Sequence, residues 1–251
     1  MRAFVLGNYM NANFLTVDRL PVAGESLAAS RHFQEHGGKT IDLLMAVGND
    51  EAGAAVTRRL AEEGINTAWV LPLGPNSGYG VGFITPDGRN FLAAHLGANA
   101  LLAADHIDQA TEVFSKADWV VAQFEIPDPV IYHAFRRARR LGKRTYLNPS
   151  PWRQPDNELL ALTDVLVVNV TEAEQLFDQP DLEMLTRDAW LEQLPALSQK
   201  IGWLGQWLVV TLAEAGCVAI DQAGQVVKQP AYPIRQIDAT GAGDAFGCGL
   251  L

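Results

Sequence analysis

The sequence has few basic residues, few cysteines and no long apolar run. Its 251 residues include 19 lysines and arginines against 29 aspartates and glutamates, which gives a formal net charge of −10 at pH 7. Because nucleic acids and anionic membranes bind clustered positive charge, we expect neither as a partner. No apolar stretch reaches the length of a membrane-spanning helix, and we expect no signal peptide before the first strand.

The two cysteines, Cys217 and Cys248, are not spaced as a disulfide framework or a metal site. Such sparse usage is typical of a reducing compartment, so we expect a cytoplasmic protein. Apolar residues, in contrast, are plentiful, at 48% of the total. A chain of this length and hydrophobicity can bury a substantial core in one large domain.

Short apolar runs alternate with amphipathic segments, a pattern typical of a mostly parallel sheet covered by helices, and therefore of the α/β class. The predicted buried strands are Ala3–Gly7, Ile41–Val47, Trp69–Leu73, Trp119–Phe124, Thr145–Leu147, Val165–Asn169 and Leu208–Leu212. The predicted helices are Asp50–Glu63, Asp128–Leu141, Thr171–Phe177 and Arg187–Ile201. Two further strands, Cys217–Asp221 and Val226–Lys228, are expected at one edge of the sheet.

The stretch Gly78–His95 departs from this alternation and predicts a β-hairpin. Alternate residues from Tyr79 to Phe83 share an apolar face, and Pro86–Gly88 supplies the turn. The stretch Phe14–Gly37 is also strand-like and has no helical pattern. An apolar hairpin face needs a cover, so we expect the two stretches to form one small sheet. That sheet would act as a lid over a binding cleft and as a contact between subunits.

The run Asp238–Asp244 is the strongest chemical signal in the chain. Residues 241–243 are Gly-Ala-Gly, whose small size lets backbone N–H groups converge on an anion. A helix is predicted to open at Ala245, so its positive end faces the same place. Asp244 then supplies a carboxylate that can take a proton from a hydroxyl group. A turn of this kind also caps ordinary helices, so the motif alone does not decide the function.

Several other motifs occur in an order that resembles the ribokinase and phosphofructokinase-B family of sugar kinases. They span nearly the whole chain: Leu6–Asn13, Pro21–Glu25, Gly37–Lys39, Gln123–Glu125, Leu147–Pro151, Asn169–Glu174 and Asp238–Asp244. The resemblance implies a ribokinase-like three-layer α/β/α core with a small β-sheet lid. The core would comprise residues 1–13, 38–76 and 99–251, and the lid residues 14–37 and 77–98.

The resemblance also implies roles for individual residues in the transfer of a phosphoryl group from ATP. Asp244 would be the catalytic base, and the amides of Gly241, Ala242 and Gly243 would hold the transferred charge. The nucleotide and its Mg²⁺ would be bound, in part through water, by Asn169, Glu172, Thr211 and Gly216, with Glu172 nearest the metal. Asp238 and Thr240 match positions that help to bind a monovalent cation such as K⁺.

The same resemblance implies that the acceptor is a small sugar. The matching sugar contacts are Asn11, Asn13, Gly38, Lys39 and Glu125. An Asn after a strand is often only a turn former, whereas a carboxylate such as Glu125 at the end of an apolar strand is costly unless it is paired or functional. The expected partners are therefore a sugar and ATP, with a homodimer formed through the lid.

Three departures from the family pattern bear on this interpretation. Asn13 stands where most members have Asp, and an amide offers a donor as well as an acceptor, so sugar preference should differ. Gly37–Lys39 runs almost directly into the strand Ile41–Val47, where the family has a helix. Because a parallel crossover needs about a dozen residues, we expect additional residues between Gly38 and Ile41. The third departure is that the sequence stops at Leu251, whereas the family pattern continues with helices that wall the adenine pocket, so we expect more residues beyond Leu251.

Three functions remain in view from the sequence. The first is an ATP-dependent kinase for a hydroxyl group of a small sugar. The second is a kinase of the same family for a nucleoside or a sugar phosphate, although the lid offers only His32, His36 and Arg89 to hold an additional phosphate. The third is a non-catalytic ligand-binding relative that keeps the fold.

Overall fold

The structure is a computed structural model that describes residues 1–16, 40–84, 90–233 and 241–251. In chain order, the strands are β1 (Arg2–Leu6), β2 (Met10–Thr16), β3 (Thr40–Val47), β4 (Val70–Pro72), β5 (Gly78–Ile84), β6 (Asn90–His95), β7 (Trp119–Gln123), β8 (Arg144–Asn148), β9 (Val165–Asn169), β10 (Trp207–Thr211), β11 (Cys217–Asp221) and β12 (Val226–Gln229). The α-helices are α1 (Glu51–Glu62), α2 (Ala104–Gln109), α3 (Thr111–Lys116), α4 (Asp128–Arg140), α5 (Asn157–Ala161), α6 (Val170–Leu176), α7 (Arg187–Lys200) and α8 (Ala242–Leu250).

Contacts divide the chain into two compact units. The first consists of Met1–Asp118, Glu125–His133 and Ala239–Leu251. The second consists of Trp119–Phe124 and Ala134–Asp238. Each unit is built around parallel strands, as the alternation of apolar runs and amphipathic segments predicts.

In the first unit, β3 pairs in parallel with both β1 and β4. β3 is buried from Ile41 to Val47, which explains its continuous apolar sequence. The exception is Asp42, which is 1% exposed and receives hydrogen bonds from Nε and Nη2 of Arg2 at 2.5 and 3.1 Å. Pairing and hydrogen bonding offset the cost of burying this carboxylate. The same hydrophobic cluster includes Cys248 of α8, so the helix after the glycine-rich turn is anchored on the parallel strands.

A second, smaller sheet of the first unit has the order β2, β5, β6. β5 and β6 are antiparallel, with Tyr79 opposite His95, which is the hairpin predicted from the sequence; its turn lies outside the described residues. β2 joins β5 in parallel, with Met10 opposite Gly78. The strand thus begins at Met10, before the predicted lid boundary at residue 14. Residues 17–39 lie outside the described residues. They include the rest of the stretch Phe14–Gly37 and the join at Gly38–Lys39.

The second unit contains a sheet of order β12, β11, β10, β9, β8, β7. Strands β7 to β10 are parallel, whereas β11 and β12 lie at the sheet edge, as predicted, and are antiparallel to their neighbours. The carboxyl ends of the four parallel strands therefore lie along one edge of the sheet, where α/β proteins bind ligands. None of the helices in the described ranges combines the length and hydropathy that crossing a bilayer requires.

Candidate active site

The glycine-rich turn opens helix α8, as predicted. Gly241 caps the helix in the left-handed region, with φ of 73° and ψ of 7°, a conformation that glycine adopts at no steric cost. The first helical hydrogen bond runs from the N–H of Ala245 to the carbonyl oxygen of Gly241 at 2.9 Å. The amides of Ala242, Gly243 and Asp244 precede this bond and have no acceptor within the helix. They form a positive helix terminus suited to an anion.

The described residues leave space beside Gly243 at this terminus. A Cβ built on Gly243 would meet no heavy atom of the described residues within 4 Å. Asp244 lies in the first turn of α8 and is half-buried. The helix thus brings together a carboxylate and the backbone N–H groups of its first turn, the two components that proton removal and charge stabilisation need.

A cavity of about 320 Å³ lies in the first unit, beside the start of β2. Its polar lining includes Asn11, Asp50, Tyr79 and His95. Asn11 is opposite Tyr79 in the strand register, and Tyr79 is opposite His95, so these three residues form a row across the small sheet. The predicted sugar contact Asn11 therefore lies in a polar cavity with an aromatic side chain and an imidazole.

Asp50 holds the edge of this cavity in place. Its carboxylate accepts hydrogen bonds from the amide of Gly53 at 2.8 Å and from the amide and hydroxyl of Ser77, both at 2.6 Å. Desolvation by burial acts to raise the pKa of Asp50, but the Ser77 and Gly53 hydrogen bonds together bring it below its usual value. Burial also raises the pKa of the nearby Tyr9 phenol, and the Asp50 charge raises it further.

The remaining candidates of the first unit are less fully described. Asn13 is on β2, and Glu125 is half-buried in the turn after β7. Gly38 and Lys39 of this unit lie outside the described residues, as do Asp238 and Thr240, the two residues predicted to bind a monovalent cation.

In the second unit, Asn169 and Glu172 are in direct contact. Asn169 ends β9 and caps α6: its side-chain oxygen accepts a hydrogen bond from the amide of Glu172, and a Glu172 oxygen accepts one from the amide of Asn169, both at 2.8 Å. This reciprocal capping box follows from the Asn-x-x-Glu spacing. It fixes a carboxylate at the carboxyl end of a parallel strand.

Glu172 is 6% exposed, and desolvation by this burial raises its pKa. Hydrogen bonds from the Asn169 amide and the Ser150 hydroxyl act in the opposite direction without cancelling the effect. In the described ranges no group of three or more His, Cys, Asp or Glu side chains could enclose a metal ion. A single carboxylate beside an amide oxygen does fit Mg²⁺, which keeps several waters and takes other ligands from substrate phosphates.

Hydrogen bonds also connect the ends of neighbouring strands along this edge of the sheet in the second unit. The Asn148 amide donates to the carbonyl oxygen of Val167 at 3.0 Å, and the Gln123 amide donates to Asn148 Oδ1 at 3.4 Å. The backbone N–H of Phe124 donates to the carbonyl oxygen of Ser150 at 2.9 Å. The side chains of Gln123 and Asn148 thus hold the ends of β7, β8 and β9 in register.

The other two predicted nucleotide contacts, Thr211 and Gly216, lie at and shortly after the end of β10. Thr211 pairs with Asn169 in the strand register. Gly216 has φ of 95°, and a Cβ placed on it would lie 2.0 Å from the carbonyl oxygen of Gln229. Backbone geometry alone therefore requires glycine at this position, whatever else it contacts.

Sequence reasoning missed Asp50 and Ser77. The sequence does indicate a capping role for Asp50, because an Asp immediately before an amphipathic helix is typical of an N-cap. No sequence signal pointed to Ser77, because its partner Asp50 is 27 residues away in the sequence.

The chain is similar to known proteins in sequence and in fold. The family model of the pfkB family carbohydrate kinases matches residues 22–251. A ribokinase of Staphylococcus aureus (strain COL) is 30% identical over 266 residues, covering 98% of this chain and 83% of the relative. A deoxyribokinase of Salmonella typhi is 29% identical over 262 residues, covering 97% and 83%.

Among solved structures, an Arabidopsis thaliana ribokinase complexed with ribose and ATP matches with a TM-score of 0.82 at 22% identity, covering 98% of this chain and 83% of that one. This likeness shows the ribokinase-like α/β fold. Together with the sequence matches, it establishes that the chain belongs to the pfkB family of carbohydrate kinases, enzymes that use ATP to phosphorylate a hydroxyl group of a small sugar.

Proposed function

We propose that this kinase acts on a pentose, with Asp244 as the catalytic base. The observation that carries the proposal is the placement of Asp244 in the first turn of α8, directly after the left-handed cap at Gly241. The names of the two relatives, ribokinase and deoxyribokinase, support a five-carbon sugar as the acceptor.

In the proposed reaction, Asp244 takes the proton of a sugar hydroxyl as its oxygen bonds to the γ-phosphorus of ATP. The bond from that phosphorus to the β–γ bridging oxygen breaks, and ADP leaves. The amides of Gly241, Ala242 and Gly243 stabilise the negative charge of the transferred group. Such catalysis depends on positioning and electrostatics and needs no covalent enzyme intermediate.

The second unit would supply the nucleotide contacts. Asn169, Glu172, Thr211 and Gly216 are proposed to contact the nucleotide, and Asn169 and Glu172 would hold Mg²⁺ through water. When bound, that ion neutralises charge on the phosphates. The fixed capping box supports this assignment, because it presents the Glu172 carboxylate in one orientation.

The first unit would supply the sugar contacts. We assign these to Asn11, Asn13, Gly38, Lys39 and Glu125, and the polar cavity beside Asn11 supports the first of them. Because Asn13 can donate as well as accept, we expect a sugar preference different from that of relatives with Asp.

Four finer points also stay predictions. They are the division of the chain into core and lid, the homodimer through the small sheet, the cytoplasmic location, and a monovalent cation at Asp238 and Thr240. The sequence pattern supports each of them.

The test is to measure ATP consumption by the wild-type protein across a panel of pentoses, hexoses, nucleosides and sugar phosphates, alongside Asp244→Asn. An amide cannot accept the proton, so we expect Asp244→Asn to lower kcat by about 10² to 10⁴ while sugar binding persists. Asp105→Asn is the matched control, because Asp105 is an exposed aspartate in the first turn of α2. Near-normal turnover by Asp244→Asn would remove this residue from the mechanism, and a preference for a nucleoside or sugar phosphate would refute the pentose assignment.

A further inference from the structure

The side chain of Asn99 is fully buried and pairs with both backbone polar groups of a single residue. Asn99 is 0% exposed and lies in the short 3-10 helix Gly97–Leu101 that follows β6. Its Oδ1 accepts a hydrogen bond from the N–H of Tyr9 at 3.1 Å, and its Nδ2 donates to the carbonyl oxygen of Tyr9 at 2.7 Å. The carboxamide thus satisfies both groups where the chain enters the small sheet, as a neighbouring strand would.

Three pieces of chain meet at this point, and we call them the joint: Tyr9, Asn76–Gly78 and Gly97–Asn99. The N–H of Ala98 donates to the carbonyl oxygen of Asn76 at 2.9 Å. A Cβ built on Gly78 would lie 2.5 Å from both Asn99 Nδ2 and the Tyr9 carbonyl oxygen. The joint is therefore packed without room for a methyl group, and displacing one piece displaces the others.

We propose that Asn99 is a positioning residue for sugar binding, acting through Tyr9 on Asn11. β2 begins at Met10, directly after Tyr9, so the position of Tyr9 fixes how the strand enters the small sheet. Asn11 is two residues further on and lines the polar cavity. Asn99 touches neither sugar nor ATP; it holds the strand that carries a sugar contact. The inference rests on the proposed function, in which Asn11 binds the sugar.

The test compares Asn99→Ala with wild type in steady-state kinetics with the best pentose of the panel and with ATP. The alanine variant leaves the Tyr9 N–H and carbonyl without the carboxamide and frees the start of β2. We expect KM for the sugar to rise by about ten- to a hundredfold, because displacements of about 1 Å at a binding group have effects of this order. KM for ATP should stay within about twofold of wild type, since the nucleotide residues belong to the other unit.

Gly78→Ala is the second variant, and it decides the matter if Asn99→Ala does not fold. Its methyl group presses on the Tyr9–Asn99 pair without removing a polar group, so the same selective rise in sugar KM is expected. Asn157→Ala, at an exposed asparagine of α5, is the control and should leave both KM values unchanged.

A merely structural role would lower the melting temperature of both variants and leave sugar KM unchanged, or would raise both KM values equally. Either result overturns the inference. If the wild-type protein phosphorylates no sugar of the panel, the proposed function fails instead, so the two failures are distinguishable.

Discussion

Asp50 links two stretches of chain that are far apart in sequence. Its carboxylate caps α1 through the Gly53 amide and also receives the amide and hydroxyl of Ser77. The Ser77 hydroxyl in turn accepts a hydrogen bond from the amide of Gly48 at 3.0 Å. Ser77 is buried and directly precedes β5, so Asp50 fixes the chain where it passes from the parallel strands to the small sheet.

We therefore expect Asp50→Asn to lower the free energy of unfolding by about 1–3 kcal/mol at pH 7, because an amide cannot accept all three hydrogen bonds. The pKa of Asp50 is lowered in the folded state, so its ionised form stabilises the fold above the usual aspartate pKa. That contribution disappears as pH falls through the lowered pKa. In urea unfolding at several pH values, the free energies of unfolding of wild type and Asp50→Asn should converge as pH falls below about 4.

Asp156→Asn is the matched control for this prediction. Asp156 also caps a helix, α5, by accepting from the amide of Leu159 at 2.8 Å. Asn and Asp are equivalent caps, so the control should change stability little. Equal losses in both variants would show that Asp50 acts only as a cap and that the Ser77 bonds contribute nothing.

At the residue scale, the family resemblance pointed to Asn169 and Glu172, whose contact lies within one helical turn. The same reasoning could not identify Ser77 as the partner of Asp50, or Tyr9 as the partner of Asn99. Those contacts depend on the folded path of the chain. Gly216 is a predicted nucleotide contact. Its positive φ and its close approach to Gln229 also require glycine for structural reasons, which the sequence alone does not reveal.

The element that most directly tests the proposed mechanism is helix α8. Gly243→Ala adds a methyl group beside the first amides, where no described heavy atom lies within 4 Å. We expect the free energy of unfolding to stay the same or rise by up to about 1 kcal/mol, because alanine favours helix. The methyl group should nevertheless occupy space proposed for the phosphoryl group, so kcat/KM should fall at least about tenfold.

Gly249→Ala provides the comparison within the same helix. A Cβ at Gly249 likewise meets nothing within 4 Å among the described residues, and the position is at the other end of α8. This variant should keep full activity. Unfolding curves and initial rates for both variants give the comparison, and full turnover by Gly243→Ala would contradict an anion site at this terminus.

Most strands and the longer helices were predictable from the sequence, because their apolar periodicity is local. The predicted helix Arg187–Ile201 is observed as Arg187–Lys200, and the strand Val165–Asn169 is observed unchanged. The short helices α2, α3 and α5 were not predicted, because six or fewer residues contain too few turns to show a period. The sequence predicted that Phe14–Gly37 and Gly78–His95 form one small sheet, but not that its strand begins at Met10 or that β2 runs parallel to β5, because neither strand's sequence specifies direction or register.

At the scale of the whole molecule, ligand binding should stabilise the folded state. A ligand that binds only the folded protein adds about 2.7 kcal/mol at a hundred times its Kd. We expect the preferred pentose to raise the melting temperature of wild type and of Asp244→Asn alike, because the substitution removes a proton acceptor and leaves the proposed sugar contacts. Differential scanning fluorimetry with and without sugar measures this. A stabilisation confined to wild type would mean that Asp244 also binds the sugar.

The pairing of β2 with β5 also has a consequence for biosynthesis. Met10 leaves the ribosome before its partner Gly78, which follows only after β3, α1 and β4. Among the described strands, β2 therefore lacks its partner β5 while the early parallel strands assemble, and the backbone groups on that side of β2 can pair with other chains. Because such distant pairing is slow to form, the small sheet is expected to be the late-folding part of the first unit. The nascent chain is thus most exposed to misassembly between the synthesis of β2 and that of β5.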